Sequence, residues 1–106
     1  MRDVFQKDHS WRNKRYDRAA KGQACVRCGL RDGTIVAAHY TGWRQHIYGK
    51  GTRIKCNDIA TADLCTGCHV YFDRPTERKS IERSEEFLHC ILLTQIRRLA
   101  AGILKT

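Results

Sequence analysis

A chain of 106 residues is long enough for one compact domain and too short for two ordinary ones. Apolar residues make up 42% and aromatics only 8%, so the core is expected to be thin. Twenty Lys and Arg against eleven Asp and Glu leave a net charge of +9, which points to a polyanionic partner. The longest uninterrupted apolar runs, such as Cys90 to Leu93, are far below the roughly 20 residues of a membrane span, and the first twenty residues are too polar for a secretory segment. A soluble, intracellular protein is expected, with no membrane partner. There, paired thiols more often hold metal than form disulfides.

In chain order, Ser10 is positioned to cap a helix running to about Lys21, with Gly22 as a left-handed stop. Residues 12 to 21 hold Arg12, Lys14, Arg15, Arg18 and Lys21 against the single acid Asp17, so residues 1–24 read as a basic surface arm. Next come Cys25-Val26-Arg27-Cys28-Gly29, the Asp32-Gly33 turn signal, and Thr34 to Tyr40, whose β-branched start suits a strand with His39 near its end. Residues 41 to 57 contain Gly42, Gly49 and Gly51 with Arg44, Lys50, Arg53 and Lys55 and no acid, which reads as a flexible basic loop with a short strand at 52–56. A phosphate backbone would favour such a loop.

Leu64 to Arg74 opens a short helix that must end near Pro75, because the residue before proline avoids helical geometry. Thr76 can cap a last helix in which Ile81, Leu88, Ile91, Leu92, Ile96, Leu99 and Ile103 recur at three- and four-residue steps, an amphipathic pattern about seven or eight turns long. An exposed apolar stripe there would favour a homodimer through this C-terminal helix. The order predicts a single α+β domain: an arm to residue 24, a core over 25–75, and a C-terminal helix over 76–106.

Cys25-x2-Cys28 and Cys65-x2-Cys68, separated by 36 residues, have the two-residue gap that lets both sulfurs of each pair face one ion. A structural zinc held by Cys25, Cys28, Cys65 and Cys68 would substitute for a missing core; four buried free thiols are the plain alternative. Cys56 and Cys90 have no such partner; Cys90 reads as a small buried residue of the long helix, and Cys56 as a spare ligand or a loop thiol, neither of them functional. His69 directly follows Cys68 and stands four residues before Asp73, on one face of a helical turn. The two form a ligand pair for a second metal, although His69 could instead replace a cysteine at the zinc, and Asp73 could pair with Arg74 or Arg78 at the surface. His39 is free to face them and to take a proton from water.

These residues resemble the HNH, or ββα-metal, endonucleases (the His-Me finger group). Ala37-Ala38-His39, the glycine-rich basic loop, Lys55 to Asp58 and Cys65-x2-Cys68-His69-x3-Asp73 are most similar to the YbcO-like nucleases of phages and prophages. The resemblance covers residues 1 to about 74, including the opening Met1 to Phe5. It implies a small zinc-stapled ββα-metal core with a basic N-terminal helix and a long C-terminal helix. It also implies metal-dependent hydrolysis of DNA phosphodiesters in the cytoplasm of a bacterial host.

By position, the resemblance makes His39 the general base and His69 and Asp73 ligands of a catalytic Mg2+, Mn2+ or Zn2+. Asp58 takes the place of the central asparagine and helps with the ion. The residue before the base, a ligand in many such enzymes, is Ala38 here, so Asp58, Asp63, water or substrate phosphate would complete the shell. Arg12, Arg15, Arg18, Arg44, Lys50, Arg53 and Lys55 would contact the nucleic acid. The Asp8-His9 pair precedes a helix cap and reads as surface, and Asp63 reads as a local cap or turn residue. Trp11, Trp43, Tyr40 and Tyr48 could stack on bases, with packing the plainer use. The rival class is a non-catalytic zinc-ribbon-like module that binds nucleic acid or a recombination partner.

Overall fold

The computed structural model of the chain describes residues 11–43, 45–50, 54–74 and 80–104. Ser10, Asp8-His9, Pro75, Thr76, Arg78 and the start of the strand expected at 52–56 lie outside them. The fold is α+β, a two-stranded antiparallel sheet with a long C-terminal helix.

Helix α1 spans Lys14–Arg18, and Asn13 rather than Ser10 caps it, its side chain accepting the Tyr16 N–H at 2.9 Å. The helix is therefore shorter than the sequence predicts. It is also no free arm, because Tyr16 and Ala20 are buried and α1 packs beside the first strand. Strand β1 is Val36–His39 and ends at His39 as expected.

Its partner β2 is Thr61–Leu64; of the strand expected at 52–56, Ile54 forms a single β-bridge and residues 55–56 form no strand. All four β2 residues are buried, the polar Thr61 and Asp63 included, so the polar–apolar alternation of these four residues does not mark a solvated face, and Ala62 and Asp63 are poor strand formers. The register pairs Val36 with Leu64, Ala37 with Asp63, Ala38 with Ala62 and His39 with Thr61. Side chains alternate across a strand, so Val36, Ala38, Ala62 and Leu64 share one face and Ala37, His39, Thr61 and Asp63 the other.

Helix α2 covers Thr66–Asp73 with Cys65 as its cap, and α3 covers Ser80–Ala100. The helical period along α3 is as predicted, but the buried face differs. Ser84, Phe87, Cys90, Ile91, Thr94 and Arg98 are buried, while Ile81, Leu92, Ile96 and Leu99 are exposed. Hydrogen bonding decides which face turns inward: the Asp63 N–H donates to Thr94 Oγ1 at 3.1 Å, and Thr94 donates to the Cys90 carbonyl at 2.9 Å. No helix among the described residues is long and apolar enough to cross a membrane.

Aromatic rings fill the thin core. Phe87 stacks on Phe72 at 4.5 Å between centroids and meets Tyr40 edge-on at 5.4 Å, and Tyr48 meets Tyr40 at 5.6 Å. Tyr40 and Tyr48 therefore serve packing. Cys56 is buried, with its thiol donating to the Tyr40 carbonyl at 3.1 Å, and Cys90 is buried in α3. Burial pushes both thiols up to about 11, which suits small inert core residues.

Asp63 is no turn residue. It is fully buried in β2, and its carboxylate is gripped by both guanidinium nitrogens Nη1 (2.9 Å) and Nη2 of the buried Arg98 and by Arg97 Nη1 at 2.8 Å. Arg98 Nε also donates to the Tyr16 carbonyl, and Arg97 to that of Ala24. Removing one member of a buried pair strands the other. Arg98→Met is therefore expected to destabilise the fold by about 3–5 kcal/mol in urea unfolding, and Asp63→Leu combined with Arg98→Met to recover most of that loss.

Candidate metal and active site

The backbone brings the two cysteine pairs together before any ion is considered. Gly29, at φ +82°, lets the chain turn after Cys28, and the Gly29 N–H donates to the Cys25 carbonyl at 2.8 Å. The Val26 N–H donates to the Asp63 carbonyl at 2.9 Å, which lays the first pair against the residue two before Cys65. The sulfurs of Cys25, Cys28, Cys65 and Cys68 then lie within 4.8 Å of one another. A tetrahedral ion with bonds of about 2.3 Å sets its ligands about 3.8 Å apart, and the Cys28 and Cys65 sulfurs are 3.7 Å apart.

The four cysteines could thus hold a structural metal such as zinc. Burial alone would raise the Cys25 thiol, but the N–H groups of Cys65, Cys28 and Arg27 outweigh it and hold it at about 6. Burial pushes Cys68 up to about 12 against the pull of Arg27. A bound cation would let all four ionise together. Arg27 Nη1 lies 3.5 Å from Cys68 Sγ and its guanidinium sits 3.8 Å from the Tyr71 centroid, so it offsets thiolate charge from outside the cluster. Among the described residues, His69 is not part of this group.

His39 sits in a second group. Its Nε2 is 2.8 Å from Asp58 Oδ1, with the histidine side chain 16% exposed. The Asn13 N–H donates to Asp58 Oδ2 at 2.7 Å, and Arg12 stands 3.8 Å from Oδ1. Asp17, one turn along α1, brings a second carboxylate within 4.8 Å of the His39 and Asp58 ligand atoms. The cap residue and Asp17 project from the same short helix, and the sequence pattern gave no sign that this helix folds against His39.

The third group is the helix pair, His69 Nε2 to Asp73 Oδ2 at 3.2 Å, both partly exposed. Thr41, two residues after His39, donates its hydroxyl to Asp73 Oδ1 at 3.1 Å. Asp73 thus pairs with His69 and Thr41 instead of Arg74. Asp58 is placed with His39 and not with His69, and Asp63 is taken up by Arg97 and Arg98. No group of three or more ligand atoms among the described residues contains both His39 and His69. Val36 shares a hollow of about 410 Å3 with His69, Val70 and Asp73, and strand alternation turns His39 to the other face.

Of the basic residues, Arg15 and Arg18 are exposed on α1 and Lys55 on the loop, while Lys50 is half-buried. Arg12 is occupied in the fold: its guanidinium donates to the carbonyls of Cys56 at 2.7 Å and Lys55 at 2.6 Å. Arg44 and Arg53 lie outside the described residues. No protein-family model, curated protein or solved structure matches the chain. Asp58→Ala removes the acceptor for His39 and for the Asn13 N–H, and is expected to lower stability by about 1–3 kcal/mol in denaturant unfolding, whereas Asp58→Asn keeps an acceptor and loses less.

Proposed function

We propose that the chain is a metal-dependent endonuclease hydrolysing DNA phosphodiester bonds, with an HNH-type active site and a structural zinc on Cys25, Cys28, Cys65 and Cys68. The observation that carries this reading is that two imidazole–carboxylate pairs border the end of β1, one from each face of the strand. His39 is held by Asp58, and two residues later Thr41 bonds Asp73, the partner of His69.

With Nε2 turned to the Asp58 carboxylate, the other ring nitrogen of His39, Nδ1, is the one left to accept a proton from water. In this reading His39 is the general base and Asp58 orients it. His69 and Asp73 would hold a divalent ion such as Mg2+, Mn2+ or Zn2+, which supplies charge stabilisation at the phosphoryl oxygens when bound. Arg15, Arg18, Lys50 and Lys55 would meet the phosphate backbone, with little sequence preference and strong salt dependence. A phage or prophage origin and a bacterial cytoplasmic setting follow from the resemblance alone.

A second reading is favoured by the strand alternation, which sets His39 and the His69–Asp73 pair on different faces: a zinc-stapled nucleic-acid-binding module without catalysis. Plasmid nicking with magnesium, manganese or zinc separates the two. Cleavage is expected to fall by about 10²–10⁴-fold in His39→Ala; cleavage that survives the substitution removes His39 from the mechanism, and none with any of the metals leaves the binding module.

The thiolate site predicts one zinc per chain by metal analysis, lost in Cys28→Ala and on acidification as the thiolates protonate. Chelation is expected to abolish cooperative thermal unfolding, because zinc binding of order 10 kcal/mol rivals the total stability of a small domain.

A further inference from the structure

Between residues 41–43 and Gln45, the end of α2 and the first half of α3 lies a cleft of about 690 Å3, within the roughly 300–1,000 Å3 range of ligand sites. The thiol cluster and His39 do not line it; only Asp73 is shared with the helix pair. Phe72 and Phe87, stacked on each other, form its apolar base. Trp43 lines it with 61% of its surface exposed. Tyr40 and Tyr48, by contrast, are drawn into the core.

The wall is built in place. The Trp43 N–H donates to Ser84 Oγ at 3.0 Å, and Ser84 also bonds the Tyr40 hydroxyl. A Cβ at Gly42 would press on the Tyr40 hydroxyl and on Ser84 Oγ, so only glycine lets the turn sit this close to α3. Two cations, Arg74 and Arg83, also line the cleft. Arg83 is anchored, with Nη1 donating to the Arg74 carbonyl at 2.9 Å and its guanidinium 4.7 Å from the Tyr71 centroid.

An exposed indole, two arginines and a carboxylate around one hollow match a nucleoside phosphate: a π-face to stack, an anion to pair, and polar base edges to satisfy. We propose that this cleft is a subsite for one unstacked base of a single-stranded nucleic-acid segment. Its place beside the scissile phosphate rests on the endonuclease reading, through the shared Asp73, whereas the binding itself does not. A base inside a duplex is stacked on both faces and cannot reach Trp43, so the subsite favours single-stranded or frayed substrate over intact duplex.

Trp11 and Trp43 are the two tryptophans of the chain, so Trp11→Phe leaves Trp43 as the sole reporter. Without added magnesium or manganese, its fluorescence is expected to be quenched saturably by short oligothymidylate and, more weakly, by thymidine monophosphate. Blunt duplex should quench far less and inorganic phosphate not at all. In anisotropy titrations with labelled oligothymidylate, Trp43→Ala is expected to weaken binding by roughly 5- to 150-fold, the range for loss of base stacking, and Arg74→Gln to weaken it and flatten its salt dependence. Circular dichroism melts establish that both variants fold.

Equal quenching by phosphate alone, equal affinity for duplex, or no quenching by any of these probes overturns the subsite. Those outcomes are independent of plasmid nicking: quenching without cleavage sinks the hydrolase and keeps the subsite, and cleavage without quenching does the reverse.

Discussion

A carboxylate with no access to water organises this molecule. Asp63 in β2 faces Arg97 and Arg98 of α3, and through them is tied to the Tyr16 carbonyl at α1 and the Ala24 carbonyl before the first cysteine pair. Its own carbonyl accepts the Val26 N–H inside that pair. A buried carboxylate is tolerable only when its oxygens are matched by donors, so the helices must sit where those donors reach. That requirement brings residues 25–28 beside 65–68 and lets four thiols converge in a domain whose apolar core is small.

The same constraint explains the face that α3 presents. Arg98 and Thr94 lie on the side that turns inward, and Ile91 and Phe87 follow them because they stand three and seven residues before Thr94, on the same helix face. Leu92, Ile96 and Leu99, which carry the stronger apolar rhythm, are left on the outside. Polar satisfaction thus outweighs maximal apolar burial here, since an unpaired buried charge is more unfavourable than a few exposed leucines.

Chemistry-bearing side chains collect around the end of β1 by related means. The strap at residues 11–13 bonds Asp58 from outside, Asp58 turns toward His39, and Thr41 reaches across to α2. Beyond Thr41 the chain is pressed onto Ser84, leaving the Trp43 ring at the edge of an aromatic hollow. A short segment at residues 40–43, just after β1, therefore borders an imidazole–carboxylate group, a second one on the next helix, and a cationic cleft. In a chain of net charge +9, such a border suits a ligand that is both anionic and aromatic.

Local pattern alone was enough for several features. Two cysteine pairs with two-residue gaps announced a four-sulfur cluster, a β-branched start placed β1 and its terminal His39, the four-residue step paired His69 with Asp73, and apolar recurrence marked the long helix. Each depends on residues adjacent in sequence or one turn apart, where geometry follows from the repeat of the element. What no local pattern carried was long-range partnership: that Thr61–Leu64 is a buried strand, that Asp63 meets Arg98 across 35 positions, that Asp17 and Asp58 converge on His39, and that the exposed Arg12 binds loop carbonyls. Those were decided by the tertiary structure, because a buried polar group chooses its partner by proximity in the folded chain, and that proximity leaves no period in the sequence.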